Sequence, residues 1–361
     1  MIYLHIPFCK SFCAYCDFYS EVCPANESAR AQKLYADGVC AEMDARWEEI
    51  RAAGIPKTLY IGGGTPSVLD IRELERIVKH LNAGPYEEFT VEVNPEDIVS
   101  KGADYVRRLL ALGVTRISMG VQSMDDGILR WMRRRHDSTR AREAVRILRE
   151  AGVRNLSLDL IFGLSQLSDS QWEDTLRQTL GLQPAHLSAY QLSIESGSAL
   201  AEMVQDGRYR EATDEQCRRQ YEILCRVMKE AGFRHYEISN FALPGSEAVH
   251  NSAYWRRLPY VGLGPGAHSF DGSVRRSWNG EALQDWHRTD EVLTDQDVRL
   301  ETLMLGLRTA EGLPEAWLHS HTEPGRLQEL LAEGALCREQ DRIRIPEDHF
   351  FVSDDIIQTL A

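Results

Sequence analysis

Three cysteines stand close together near the start of the chain, in Cys9-Lys10-Ser11-Phe12-Cys13-Ala14-Tyr15-Cys16, with the spacing C-x3-C-x2-C. They are too near one another for independent disulfides, and thiolates at such spacing on one loop can converge on a single soft metal centre. Three thiolates are one ligand short of closing a four-iron cluster. The fourth iron is then open, and an open iron can bind and activate a small molecule. Structural zinc is the competing chemistry. It needs a fourth ligand at comparable spacing, for which Cys23 and His5 are the awkwardly placed choices.

Other polar residues interrupt apolar runs. Gly62-Gly63-Gly64-Thr65-Pro66 reads either as a tight turn or as a place where a ligand reaches exposed backbone N–H and C=O groups. Glu92, in Val91-Glu92-Val93-Asn94-Pro95, and Asp159, in Leu158-Asp159-Leu160-Ile161-Phe162-Gly163, are carboxylates in otherwise apolar segments. Alone, each is equally a helix N-cap or an ion-pair partner; facing a common mouth, the two suit a ligand with an ammonium group and a sugar diol. Gln122 follows Met119-Gly120-Val121, and Arg134 lies in the basic run Arg133-Arg134-Arg135-His136, by default a solvated helix end.

The elements that must position these residues alternate. Strand-like runs are Ile2–Ile6, Lys57–Ile61, Phe89–Val93, Thr115–Met119, Leu156–Leu160 and His186–Leu192. Between them, apolar residues at three- and four-residue spacing predict helices over Ile71–Leu81, Tyr105–Leu112, Ala141–Ala151, Trp172–Leu180 and Gln216–Ala231. Three of these end in Leu112-Gly113, Ala151-Gly152 or Ala231-Gly232, a C-cap signal. Alternating β and α units imply a parallel sheet with helices packed outside, and six units fit an incomplete barrel better than a flat sheet. On that frame the cysteine loop, the glycine run, Glu92, Gln122 and Asp159 all fall at C-terminal strand ends, the edge where such sheets build their sites. This shared placement weighs more than any one motif.

Composition bounds the rest. A chain of 361 residues suits one large α/β domain with a smaller appendage, and 43 % apolar with 27 % charged residues describes a globular protein with ample core. The formal charge of −14 argues against nucleic acid as the principal ligand. No run approaches the roughly 18–20 apolar residues of a membrane span, and no basic n-region with a cleavage site precedes the first strand; a cytoplasmic protein is expected. Cys217 and Cys225 fall in a helical pattern and read as small buried residues, and Cys23, Cys40 and Cys337 receive no role. The tail from about residue 295 reads as short helices with a β-ribbon near Arg342–Ile345, a winged-helix-like form. Its fourteen acidic residues against six arginines and no lysine exclude a DNA-reading role and leave covering the cavity or docking a partner.

Tyr3-Leu4-His5-Ile6-Pro7-Phe8-Cys9, the cysteine loop and Gly62–Pro66 resemble the coproporphyrinogen dehydrogenase branch of the radical S-adenosylmethionine (SAM) proteins. The resemblance covers essentially the whole chain and weakens beyond about residue 310. It implies a partial (β/α)6 radical-SAM barrel with a C-terminal, mostly helical, winged-helix-like cap. It implies a [4Fe–4S] cluster on Cys9, Cys13 and Cys16, whose fourth iron takes the amino and carboxylate groups of SAM. It puts Tyr3, Gly64, Thr65, Glu92, Gln122, Arg134 and Asp159 on SAM-binding positions; Arg134 follows Gln122 by twelve residues and Asp159 follows Arg134 by twenty-five, as in the family. Gly163-Leu164-Ser165-Gln166 departs from the family's Gly-Leu-Pro-Gly and leaves the loop after Asp159 less defined.

Within this branch the chain is most similar to the HemW family of haem chaperones. Cys16 is followed by Asp17-Phe18-Tyr19, where the true oxidase carries a further cysteine two positions on, and the chain enters its first strand at residue 2 without the oxidase's N-terminal extension. His250-Asn251-Ser252-Ala253-Tyr254-Trp255 is similar to the HNxxYW signature of the family, and Tyr236–Ala242 before it is also similar. The resemblance implies haem as a ligand. A neutral His250 can ligate its iron, and Tyr254 and Trp255 offer flat surfaces to the macrocycle; without the resemblance the same residues read as a loop histidine beside two half-buried aromatics. His268 is a further residue that can face the SAM cavity or ligate haem. The run Val261-Gly262-Leu263-Gly264-Pro265-Gly266 is not a dinucleotide motif, because no good strand–helix unit surrounds it and Pro265 sits inside it.

The expected organisation is a core barrel over 1–245, a haem-binding segment and linker over 246–294, and a C-terminal domain over 295–361. The expected function is a haem chaperone that delivers haem to haem-dependent proteins, respiratory ones at the membrane among them, with the cluster and SAM serving structure, homodimer formation or a regulated SAM cleavage. The alternative is an oxygen-independent coproporphyrinogen III oxidase, in which SAM cleavage starts the oxidative decarboxylation of porphyrinogen propionates. The absent cysteine after Cys16 weighs against it.

Overall fold

The structure, a computed structural model, describes residues 1–53 and 55–361. Six strands, β1 (Ile2–Ile6), β2 (Thr58–Gly63), β3 (Glu88–Val93), β4 (Arg116–Gln122), β5 (Asn155–Phe162) and β6 (His186–Gln191), run parallel and lie side by side in chain order. Beyond β6 the sheet continues with antiparallel β8 (Asn240–Ala242) and β7 (Arg234–Glu237); beyond β1 it continues with parallel β9 (Val261–Leu263). This is the expected parallel α/β barrel, left open between its end strands β7 and β9.

Side-chain alternation in these strands has an uncommon polarity. One set, including Leu4, Ile6, Leu59, Ile61, Phe89, Val91, Ile117, Met119, Leu156, Leu158 and Leu187, is buried against the helices. The other set points into the barrel and is largely polar: Tyr60, Glu92, Arg116, Ser118, Ser157, Asp159, His186 and Ser188 all line one interior cavity. Glu92, Ser118, Ser157 and His186 stand in register across four strands. The apolar set drives the helices onto the sheet, and the polar set keeps the lumen open to a ligand.

The outer helices begin with short polar caps. Asp70 accepts a hydrogen bond from the Arg72 amide at the start of Ile71–Leu81, and Ser168 with Gln171 forms a capping box on Asp169–Leu180.

The boundary expected at residue 245 does not end the barrel. The helix Val249–Trp255 packs on β2, and β9 pairs with β1, so the first part of the segment 246–294 is joined to the barrel. After β9 the chain turns into an antiparallel sheet of β10 (His268–Phe270), β11 (Arg275–Asn279) and β12 (Arg288–Val292). Gly262 permits this return, since a Cβ there would lie 1.9 Å from the His268 carbonyl oxygen. Thus a strand does run through the Val261–Gly266 run, though no helix follows it. The tail is mostly helical (Asp295–Leu307, Glu315–His321, Pro324–Ala332, Ser353–Leu360) with a small antiparallel ribbon of β13 (Leu313–Pro314), β15 (Arg342–Arg344) and β14 (Cys337–Glu339).

Candidate SAM and cluster site

A cavity of about 570 Å³ runs from the cysteine loop into the lumen. Cys9, Cys13 and Cys16 all line it, as do Gly64, Thr65, Glu92, Gln122, Arg134 and Asp159. Of the residues expected at a SAM site, Tyr3 alone stands back from the lining. Its hydroxyl is hydrogen-bonded to His5 Nδ1 at 3.1 Å, and its ring stacks on that of Tyr60, which does line the cavity.

The thiols are individually supported. Cys9 Sγ lies 3.3 Å from Thr65 Oγ1, and Arg134 Nη1 donates to Cys13 Sγ at 3.4 Å. Burial pushes the Cys9 thiol up and the Cys16 thiol to about 11, with neighbouring thiols adding to the shift. A bound iron centre reverses that preference, because its positive charge favours thiolate. Among the described residues no three His, Cys, Asp or Glu side chains converge tightly enough for a single metal ion. Three thiols that line one cavity are the donor set that a cluster with one open iron takes. Gly64 leaves the room needed: a Cβ there would come within 3.2 Å of Cys9 Sγ and 3.1 Å of the Phe8 carbonyl oxygen.

The polar wall opposite is preorganised and incompletely satisfied. Tyr60 donates to Glu92 Oε1 at 2.7 Å, and burial raises the Glu92 carboxyl to about 7. Ser118 donates to Asp159 at 3.1 Å, and burial raises Asp159 as well. Gln122 sits in the left-handed backbone region at φ 66°, and its buried Oε1 has no partner. Arg134, read from sequence alone as a solvated helix end, is instead turned inward, where Nη2 donates to Asn94 Oδ1 at 2.6 Å and to the Gly120 carbonyl at 2.8 Å. Buried acceptors without partners are costly in a folded chain, so this wall is shaped for a ligand that donates hydrogen bonds and carries positive charge. SAM, with its ammonium and sulfonium groups, fits both demands.

Asn94 is a site residue that sequence reading missed. Its amide donates to Thr65 Oγ1 at 3.2 Å while its oxygen accepts from Arg134, so it ties the glycine loop to the arginine. It stands in the run Val91–Pro95, in which only Glu92 received a role. Phe12 and Phe18, 57 % and 66 % exposed, flank the cysteines at the cavity mouth.

Residues 3–179 match the model of the Radical SAM superfamily. The chain is 30 % identical to the haem chaperone HemW of Lactococcus lactis over 99 % of its own length and 96 % of that protein's. It is 34 % identical to the haem chaperone HemW of Bacillus subtilis, over 86 % of this chain and 84 % of that one. The chain belongs to the HemW family. Its fold is that of radical SAM proteins: the structure of coproporphyrinogen III oxidase HemN from Escherichia coli superposes with a TM-score of 0.80, at 20 % identity, over 99 % of this chain and 89 % of that one.

The HemW-like segment His250–Trp255 lies at the other end of the barrel from the cysteine loop. Thr58 and Glu88 are the first residues of β2 and β3, and both hold this helix. The Glu88 carboxylate accepts from the Val249 and His250 amides, each at 3.0 Å. His250 is 0 % exposed, with Nδ1 bonded to Thr58 Oγ1 at 2.7 Å and Nε2 to the Tyr254 hydroxyl at 2.9 Å. Its ring also packs on Tyr60. Expected as a haem ligand, His250 therefore has no nitrogen free in this conformation. Tyr254 packs edge-on against Tyr260, and Trp255 is half-buried. Asn251 of this segment and Ala248 just before it line the cavity, so the start of the helix forms its floor. His268 is absent from the lining and lies on the exposed β10 edge.

Proposed function

We propose that this chain is a haem chaperone: it binds haem and passes it to haem-dependent proteins, with respiratory proteins at the membrane as acceptors. The observation that carries the reading is the match, over nearly the full length of both chains, to curated haem chaperones. In the same proposal Cys9, Cys13 and Cys16 hold a [4Fe–4S] cluster, and Gly64, Thr65, Glu92, Gln122, Arg134 and Asp159 hold SAM, with Tyr3 supporting Tyr60 and His5 from behind. When bound, the cluster supplies a single electron and an iron with an open position, and SAM supplies a sulfonium that such an electron can cleave.

The chain's own contribution is placement and exclusion of water. Glu92 and Asp159 present carboxylates deep in the lumen, Gln122 offers an unused acceptor, and Asn94 fixes Arg134 beside Cys13. Among the described residues no helix is long and apolar enough to cross a membrane, so delivery to membrane acceptors would proceed by docking. No structural feature favours the coproporphyrinogen oxidase alternative, since likeness to that enzyme at 20 % identity extends to the fold alone. The test is haem titration of the anaerobically reconstituted protein beside an assay with coproporphyrinogen III. Saturable haem binding without porphyrinogen turnover supports the chaperone; conversion to protoporphyrinogen IX overturns it.

A further inference from the structure

An imidazole that ligates iron needs a ring nitrogen free of other bonds and reachable from solvent. The eleven histidines separate on this requirement. His5, His186, His235 and His250 are buried with both ring nitrogens engaged inside the protein. His136 is buried between the Val121 carbonyl and Glu96. His80, His319 and His349 each sit on a carboxylate. His321 is bonded through Nδ1 to the Trp317 carbonyl and keeps Nε2 free. His80, His319 and His349, like His321, keep their other ring nitrogen without a hydrogen bond, and the rings of His268 and His287 make none at all among the described residues.

Of these six rings, that of His268 has the surroundings of a macrocycle site. It is exposed, on β10, directly opposite Trp278 on β11, with the two rings 6.2 Å apart and inclined by 27°. Phe270, two residues along the same face, stands opposite Arg276, and the Arg257 guanidinium lies 4.8 Å over the Phe270 ring. The face thus joins a free imidazole, an indole, a second aromatic and two guanidinium groups, the latter paired at present with Glu291 and Glu301. His80, His287, His319 and His349 have no aromatic ring packed against them among the described residues. His321 lies on the strongly acidic tail, which repels the two carboxylates of haem.

We propose that His268 is the protein ligand to haem iron, on a sheet face outside the SAM cavity. The proposal rests on the haem-chaperone reading and deepens it by naming the ligand. It places haem near the loop segment that leaves the cysteines: a Cβ at Gly266 would lie 3.4 Å from Tyr19 Cβ, and the Tyr19 ring stacks on His5, whose protonation a charge on His268 opposes. Haem and SAM then occupy separate sites and bind together.

The test is titration of the full-length protein with haemin, followed by Soret absorption, for the wild type and for His268→Ala, His250→Ala and His321→Ala. His268→Ala is exposed and leaves the fold intact. It is expected to weaken haemin binding about tenfold or more and to move the Soret maximum, with free imidazole restoring the wild-type spectrum. SAM binding by the reconstituted variant stays unchanged. An unaltered titration and spectrum in His268→Ala overturns the proposal, as does loss of the Soret band in His321→Ala, or in His250→Ala that retains its far-UV circular dichroism. A wild type that binds no haemin at all removes the chaperone reading itself, an outcome distinct from failure of the ligand assignment.

Discussion

Thr58 Oγ1 meets His250 Nδ1 at 2.7 Å, across 192 residues of sequence, at the barrel end opposite the three cysteines. The contact divides the molecule by role. The cysteine loop and the residues proposed to hold SAM lie towards the C-terminal strand ends, and the His250 helix closes the lumen below them.

The floor role makes His250 a stability residue. His250→Ala removes two buried hydrogen bonds and leaves a void against Tyr60, and should cost about 3 kcal/mol of folding stability. Chemical denaturation measures this directly. Wild-type stability in the variant, with only haem affinity lost, would return His250 to the role of ligand.

Asn94 should matter to SAM without touching the cluster. Asn94→Ala frees Arg134 Nη2 from one of its two acceptors and unties Thr65, and is expected to weaken SAM binding about tenfold, a loss of one to two positioned hydrogen bonds. Equilibrium binding to the reconstituted protein reads the change; the iron content should not move.

Removing the thiols should abolish the cluster itself. A Cys9/Cys13/Cys16→Ala triple variant, reconstituted anaerobically with iron and sulfide, is expected to lack the broad iron–sulfur absorption that the wild type gains. Retention of the band would place the cluster elsewhere.

Much of this plan is legible in the sequence, because the apolar faces of the six parallel strands and their helices follow simple periods. The strand ends are less so. β2 runs on through Gly62 and Gly63, β4 to Gln122 and β5 to Phe162, since residues that look like breaks are lumen-facing positions within the strands. β8 and β9, three residues each, are too short to carry a period. The cysteine loop, the glycine run, Glu92, Gln122 and Asp159 do meet in one cavity, although Asp159 lies inside β5 and Gly62 and Gly63 inside β2 rather than beyond the strand ends. Arg134 was not readable from its basic neighbours; only the family spacing singled it out. The occupancy of both His250 nitrogens depends on Thr58 and Tyr254, and no local pattern reveals a partner so far away in sequence.

Glu237 gives a pH signature independent of the site. It is buried, and burial raises its carboxyl from 4.5 to about 7. Between those values the folded state holds a proton that the unfolded chain has lost, so stability falls as pH rises from about 4.5 to 7. Glu237→Gln should therefore gain roughly 1–3 kcal/mol relative to wild type at pH 8 compared with pH 4.5. His235 acts in the opposite sense: burial lowers it to about 4, so its contribution is lost as pH falls from about 6.5 towards 4. Denaturation midpoints across pH separate the two. A Glu237→Gln difference that does not vary with pH would contradict the burial account.

The central claim is that this protein carries haem to acceptors. The direct measurement is transfer: the protein is loaded with haemin, freed of excess, and mixed with an apo-acceptor of the respiratory chain, while the Soret spectra of donor and acceptor are followed. The account predicts that the acceptor's holo spectrum grows as the donor's band declines, faster than from free haemin. Haem that stays on the donor, or an acceptor that fills no faster than with haemin alone, would contradict it.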